Sequence, residues 1–159
     1  MENNVSWVPD VRNARWAPAP TETEYEGEKA ILKGGAVEVP CSICSGNAAA
    51  GPIGGLGNGS VEFHGVQSLQ DTRSTVRIVY TNDDTRERYA RVIVNNVSQA
   101  ISFLPTGTVG GLNSASLHVD LAAWSSNPIS IEGLTLSRAQ VLIEYSYRTA
   151  STYEIAPQE

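Results

Sequence analysis

Residues 75–103 read TVRIVYTNDDTRERYARVIVNNVSQAISF, and the fold follows from this stretch. Thr75-Val76-Arg77-Ile78-Val79-Tyr80 is rich in β-branched and aromatic residues, and its side chains alternate between two faces as a strand requires. Asn82-Asp83-Asp84 then supplies turn-forming residues that close the strand. Tyr89-Ala90-Arg91-Val92-Ile93-Val94 is a second strand, followed by a turn at Asn95-Asn96. Gln99 to Phe103 is the returning strand, ended by Pro105 and Gly107.

The same pattern extends outward. Val61-Glu62-Phe63-His64 alternates apolar and polar, and Ala36 to Val39 does so weakly. Ala115 to Leu121, Ile129-Ser130-Ile131 and Val141 to Tyr145 continue the series. Strands recurring about every 8 to 12 residues with turns between them predict an all-β sandwich or barrel. No segment has the spacing of an amphipathic helix. Residues 46–59, rich in Gly and Ala, read as a loop. Their core, Gly51-Pro52-Ile53-Gly54-Gly55-Leu56-Gly57-Asn58-Gly59, lacks the Gly-Lys-Ser/Thr ending and the following helix of a phosphate loop. It reads instead as a loop that needs positive φ at several sites.

The expected organisation is a Pro-rich arm or linker over 1–22, a β-sandwich over 23–147 and a C-terminal tail over 148–159. The arm carries Pro9, Pro18 and Pro20 with Trp7 and Trp16, which are expected to pack on the sandwich. A chain of 159 residues suits one domain, and 41% apolar with 18% charged residues is an ordinary globular balance. The net charge is −6 and the Arg residues are scattered, which argues against nucleic acid as a partner. No apolar run approaches the roughly 20 residues that span a bilayer, which argues against a membrane. The opening MENNVSWVPD has no basic start followed by an apolar block, so a secretion signal would have to precede it.

Cys41-Ser42-Ile43-Cys44 can be a redox pair, half a zinc site or a short disulfide. The redox reading wants a helix start in a βαβ unit, and the zinc reading wants two further ligands, for which only the distant His64 and His118 exist. A local disulfide between Cys41 and Cys44 is the favoured expectation. Three Asn-x-Ser sequons, at Asn4, Asn58 and Asn96, together with that disulfide point to a secreted, extracellular protein.

An ordered series of short motifs carries a resemblance. It runs Tyr25-Glu26-Gly27-Glu28, Gly34-Gly35-Ala36, Cys41-Ser42-Ile43-Cys44-Ser45-Gly46, Gly59-Ser60-Val61-Glu62-Phe63, Val79-Tyr80-Thr81-Asn82, Val92-Ile93-Val94-Asn95 and Phe103-Leu104-Pro105-Thr106-Gly107. Over about residues 24–133 the chain resembles the family 35 carbohydrate-binding modules, relatives of family 6. The form with Cys-x-x-Cys-Ser-Gly is similar to modules appended to α-galactosidases and galactanases. The resemblance implies a jelly-roll β-sandwich, galactose-binding-domain-like, with a structural Ca²⁺. It implies Glu26 and Glu28 as carboxylate ligands, which suits a hard cation, and their alternation on a strand would let them converge. Where the family carries Asn, often Trp, and Asp before the closing strand, this chain has Glu132-Gly133-Leu134-Thr135-Leu136-Ser137-Arg138-Ala139-Gln140-Val141. Pro52 stands where the family often has Tyr.

Sugar recognition takes an aromatic face for the C–H side of the ring and polar groups for its hydroxyls. Asn47, beside the Cys-x-x-Cys, Trp124 and Arg138 are the carbohydrate-binding candidates, Arg138 because a guanidinium can hold a uronate carboxylate. Glu62, Asp71, Asp83, Asp84, Asp120 and Glu132 are available acids, but none sits in a catalytic motif, so no catalytic residue is assigned and the domain is not expected to be an enzyme. The function implied is a non-catalytic module that holds a secreted glycoside hydrolase near polysaccharide or oligosaccharide, galactose-containing glycans first, with the hydrolase's catalytic domain as its partner. The competing reading is a sandwich that has lost sugar binding and serves as a structural or docking module of the parent enzyme.

Overall fold

The structure is a computed structural model describing residues 22–107, 111–134 and 141–149, with backbone only for Glu22 and residues 141–149. Its strands are β1 (Glu22–Tyr25), β2 (Ile31–Lys33), β3 (Val37–Pro40), β4 (Ala48–Gly51), β5 (Ser60–Val66), β6 (Thr72–Asn82), β7 (Arg88–Val94), β8 (Val97–Phe103), β9 (Asn113–Leu121), β10 (Asn127–Gly133) and β11 (Val141–Thr149). One sheet runs β3-β4-β11-β6-β9, with β1 also paired to β11, and the other runs β2-β5-β10-β7-β8. All these pairings are antiparallel. The all-β jelly-roll sandwich read from the sequence is the observed fold. Among the described residues the only helical turns are two of 3₁₀ type, Gly27–Lys29 and Ser45–Asn47.

The opening stretch shows how the sequence builds the core. In β6, Val76, Ile78 and Tyr80 are buried while Arg77 is exposed; in β7, Ala90, Val92 and Val94 are buried while Tyr89 and Arg91 are exposed. Val94 faces Val97 across Asn95-Asn96, and both asparagines have positive φ, 48° and 67°. Two left-handed residues match the right-handed twist of the strands, and Asn tolerates that conformation better than other side chains. Phe63, Phe103, Ile129 and Ile131 complete the core between the sheets. Each such buried side chain contributes about 1.5–3 kcal/mol.

Tyr80 and Phe103 meet with ring centroids 4.6 Å apart. The Tyr80 hydroxyl accepts a hydrogen bond from Leu104 N at 2.9 Å, and burial pushes its phenol above the ordinary range. The turn predicted at Asn82-Asp83-Asp84 is present. Asn82 is fully buried, its Nδ2 donates to Phe103 O (2.8 Å) and Arg86 O (3.0 Å), and its Oδ1 accepts from Asp84 N (3.2 Å).

The expected 46–59 loop requires correction, because β4 lies inside it. Ala48, Ala49, Ala50 and Gly51 are all buried. Alanine favours strands weakly, but only small side chains fit here: Ala49 packs on Cys41 and Cys44, and Ala50 enters the main core. The rest of the stretch is a turn in which Gly54 N donates to Gly59 O (2.7 Å), and Gly54 has φ 79°. Its backbone lies so close to Gly133 that a Cβ on Gly133 would collide with it.

β1 opens at Glu22 and β11 closes at Thr149, slightly beyond the boundaries expected of the sandwich. The arm with Trp7 and Trp16, apart from Glu22, and the tail beyond Thr149 lie outside the described residues.

Candidate functional site

Two regions hold side chains arranged for binding. At the first, β1 and β4 pair with successive parts of the same edge of β11: Tyr25 faces Tyr145 and Ala50 faces Ile143. Since β4 takes over that edge, the chain leaving β1 must lift away, and it does so through the 3₁₀ turn Gly27–Lys29, with Lys29 N donating to Glu26 O at 3.2 Å. Glu26 and Glu28 therefore converge through a turn and not through strand alternation, which corrects the expected geometry. The Ser45 hydroxyl donates to Glu26, lying 2.8 Å from each carboxylate oxygen. A Cβ on Gly46, whose φ is 67°, would stand 2.9 Å from Glu28 Oε1 and 3.8 Å from Glu26 Oε2. Both carboxylates thus close over one bare glycine.

The Cys41–Cys44 disulfide is present beside them. Asn47 N donates to Cys44 O (3.3 Å) and Cys41 N donates to Asn47 O (2.9 Å), so Asn47, itself exposed with φ 60°, closes the disulfide loop. Glu28 Oε2 is buried without a hydrogen-bond partner. A buried, unpartnered carboxylate oxygen is costly, and a hard cation that prefers oxygen ligands fits that need. Glu26 and Glu28 are the acidic side chains brought together here, since no group of three or more His, Cys, Asp or Glu suited to a metal occurs among the described residues.

The second region lies at the other end of the strands. Ala50 is level with Tyr80 through β11, whereas Leu121 pairs with Thr72, so most of β6, roughly 25 Å, separates the two. Here Trp124 stands in the β9–β10 turn, 78% exposed and with φ 54°. Trp124 N donates to Ser68 O (2.9 Å) and Ala123 N donates to Asp71 Oδ1 (2.7 Å). The fully buried Asn127 joins three segments. Its Oδ1 accepts from Ala122 N (2.8 Å) and Asn95 Nδ2 (2.7 Å), and its Nδ2 lies 3.1 Å from each of the carbonyls of Val66, Ala122 and Ser125. Beside this turn runs an open groove of about 540 Å³ lined by residues that include Asp71, Arg73, Asn95 and Asp120.

The sequence-derived candidates are thus split. Asn47 sits at the carboxylate corner, Trp124 at the opposite end, and Arg138 outside the described residues. Asn127 and Arg73 were not singled out from sequence. A buried hub residue such as Asn127 has only one sequence signal, an Asn that opens a strand just before Pro128. Among the acids considered, Glu62 bonds to Lys33 and His64, Glu132 to Arg91 at 2.7 Å, and Asp84 to Arg88. The Lys33 ammonium, with lesser help from His64, holds the Glu62 carboxyl below its usual range.

No protein-family model matches the sequence, and no curated protein matches it significantly. Solved structures do match. A family 35 carbohydrate-binding module from Clostridium thermocellum superposes with a TM-score of 0.70 at 20% identity, over 80% of this chain and 97% of that one. The C-terminal family 6 module of a laminarinase from Zobellia galactanivorans gives 0.66 at 13% identity, over 82% and 100%. The fold is that of the family 35 and family 6 carbohydrate-binding modules. An exo-β-1,3-galactanase from Phanerochaete chrysosporium, solved with galactose, gives a TM-score of 0.71 at 25% identity over 80% of this chain. The chain spans only 29% of that enzyme's length. The neighbours matched along nearly their whole length are modules of this fold.

Proposed function

We propose that this domain is a non-catalytic carbohydrate-binding module of a secreted glycoside hydrolase, stabilised by Ca²⁺. The observation that carries the reading is the contrast in coverage, 97% of a free-standing module against 29% of a galactanase. That contrast supports an accessory part of a larger enzyme, whose chemistry resides elsewhere. The galactanase likeness favours galactose-containing glycans as the first ligands to try. The disulfide and the exposed sequon residues Asn58 and Asn96 favour an extracellular location.

Glu26 and Glu28 would hold the Ca²⁺, with backbone carbonyls and water as the further oxygen ligands such an ion takes. The ion would neutralise two carboxylates crowded over Gly46 and satisfy the orphaned Glu28 oxygen. Ser45 positions Glu26 by donating to it.

Affinity electrophoresis through gels containing β-1,3-galactan, arabinogalactan, xylan or laminarin tests the reading. Retardation by one or more of these polymers is expected, with galactans first. A domain that migrates unretarded in every gel, with Ca²⁺ present, would instead be a docking or structural module.

A further inference from the structure

We propose that the groove beside Trp124 is itself a glycan-binding subsite, taking a neutral hexopyranose chain at the end of the sandwich remote from Glu26 and Glu28. This rests on the carbohydrate-binding reading above and assigns it a place.

Trp124 combines features that ordinary packing does not explain. A bulky aromatic residue with positive φ is an outlier, and such conformations persist where the surroundings over-determine them, often at ligand sites. Here the surroundings do so, through Ser68 O, Asp71 Oδ1 and the fully buried Asn127, yet the indole is left 78% exposed. The loop is therefore fixed in advance while its largest apolar surface faces water. Leu69, 75% exposed, follows the Ser68 that anchors Trp124 and extends the apolar surface at this end.

The groove supplies the polar half. Its volume of about 540 Å³ lies in the range of small-ligand sites. Asp71, which lines it, is also the residue that fixes Ala123, so the groove wall and the aromatic loop are one hydrogen-bonded unit. Arg73 and Asp120 are register partners on β6 and β9, and both are exposed on the same side of the sheet. Asp71 and Asp120 provide acceptors for sugar hydroxyls and Arg73 provides donors, while the Asn95 amide is spent on Asn127 Oδ1 (2.7 Å) and Asp120 O (3.4 Å) and shapes the wall. Two carboxylates against one guanidinium leave the wall net negative, which disfavours uronates and sulfated sugars and favours neutral ones. The indole offers a face to the C–H side of a pyranose, the arrangement in which aromatic groups bind sugars through dispersion and their quadrupole.

The test measures binding of neutral galacto-, gluco- and xylo-oligosaccharides, with oligogalacturonate as the charged control, by calorimetry on the intact chain. Wild type is compared with Trp124→Gly, Trp124→Phe and Asp120→Asn. Glycine suits the left-handed backbone, so Trp124→Gly removes the platform without disturbing the fold, and an unchanged melting temperature verifies this. The expected result is a dissociation constant for a neutral glycan raised at least tenfold in Trp124→Gly, with partial recovery in Trp124→Phe and no binding of oligogalacturonate by wild type. If wild type binds and Trp124→Gly binds equally well, the subsite is overturned while the module reading survives. If wild type binds none of the neutral sugars, both fall. Preferential binding of oligogalacturonate would overturn the assignment to neutral sugars.

Discussion

The corner at Glu26 and Glu28 and the end at Trp124 are both built from loops, yet they are finished in opposite ways. At the corner a disulfide and a 3₁₀ turn crowd two carboxylates over Gly46 and leave Glu28 Oε2 buried without a partner. At the other end the Asn127 amide is satisfied by protein groups alone, joining the β5, β7–β8 and β9–β10 connections. The first region leaves a buried carboxylate oxygen that a cation would satisfy, whereas the second is satisfied by protein groups. Ca²⁺-dependent stability should therefore be confined to the corner.

The most severe way to break this contrast is Asn127→Ala. It removes several buried hydrogen bonds at once and leaves Ala122 N and the Val66, Ala122 and Ser125 carbonyls to find other partners. A loss of about 3–4 kcal/mol is expected, read as a fall of roughly 10 °C in melting temperature, equal with and without Ca²⁺. Rescue by Ca²⁺ would mean that the two regions are coupled after all.

The corner should respond to the ion itself. With Ca²⁺ about 100-fold above its dissociation constant, stabilisation of about 2.7 kcal/mol is expected relative to EDTA. Calorimetric melting of wild type and Glu28→Gln checks this, and the variant should show no difference between the two conditions. An equal response in the variant would place the ion elsewhere.

A smaller effect attaches to the disulfide. Replacing Cys41 and Cys44 by Ser opens a very short loop, for which chain entropy gives about 2 kcal/mol. Because that loop carries Ser45 and Gly46, the contrast is sharpened if the double variant also binds Ca²⁺ more weakly in a titration. Glycan affinity should not change, since Trp124 lies far from it.

The smallest effect is that of pH. Lys33 and His64 depress the Glu62 carboxyl, so its contribution is present above the unfolded value of 4.5 and is lost as pH falls through the lower folded value. Its partners Lys33 and His64 are exposed, and screening keeps the effect under about 1 kcal/mol. Urea unfolding of Glu62→Gln should show a slightly flatter loss of stability below about pH 4.5 than wild type shows. An identical slope would mean that the Lys33 pair contributes nothing.

The sandwich was legible because its long strands obey simple periodicity. Val76, Ile78 and Tyr80 alternate with Arg77 and Val79, and Asn95-Asn96 is a pair that tolerates left-handed turns. β4 was not legible, since Ala48-Ala49-Ala50 has neither β-branched residues nor alternation and is selected by the space between the disulfide and the core. The pairing of Glu26 with Glu28 was visible through the resemblance. Its geometry was not, because it depends on β4 displacing the chain from β11, a contact between residues far apart in sequence. The Asn127 hub was hidden for the same reason: its partners at 66, 95 and 122 are brought together only by the fold.

The pairing of β1 with β11 has a mechanical consequence. Glu22 faces Arg148 and Tyr25 faces Tyr145, so the chain enters and leaves the sandwich on neighbouring antiparallel strands at the same end. A pull applied through both flanking segments would load these bonds in turn, as a zipper is opened, and not all together in shear. The first pair to part would be Glu22–Arg148 and the last Tyr25–Tyr145, immediately before Glu26. An ion held by Glu26 and Glu28 would then act as the stop at the end of the zipper, so that the force needed to open the domain would follow the calcium concentration around it.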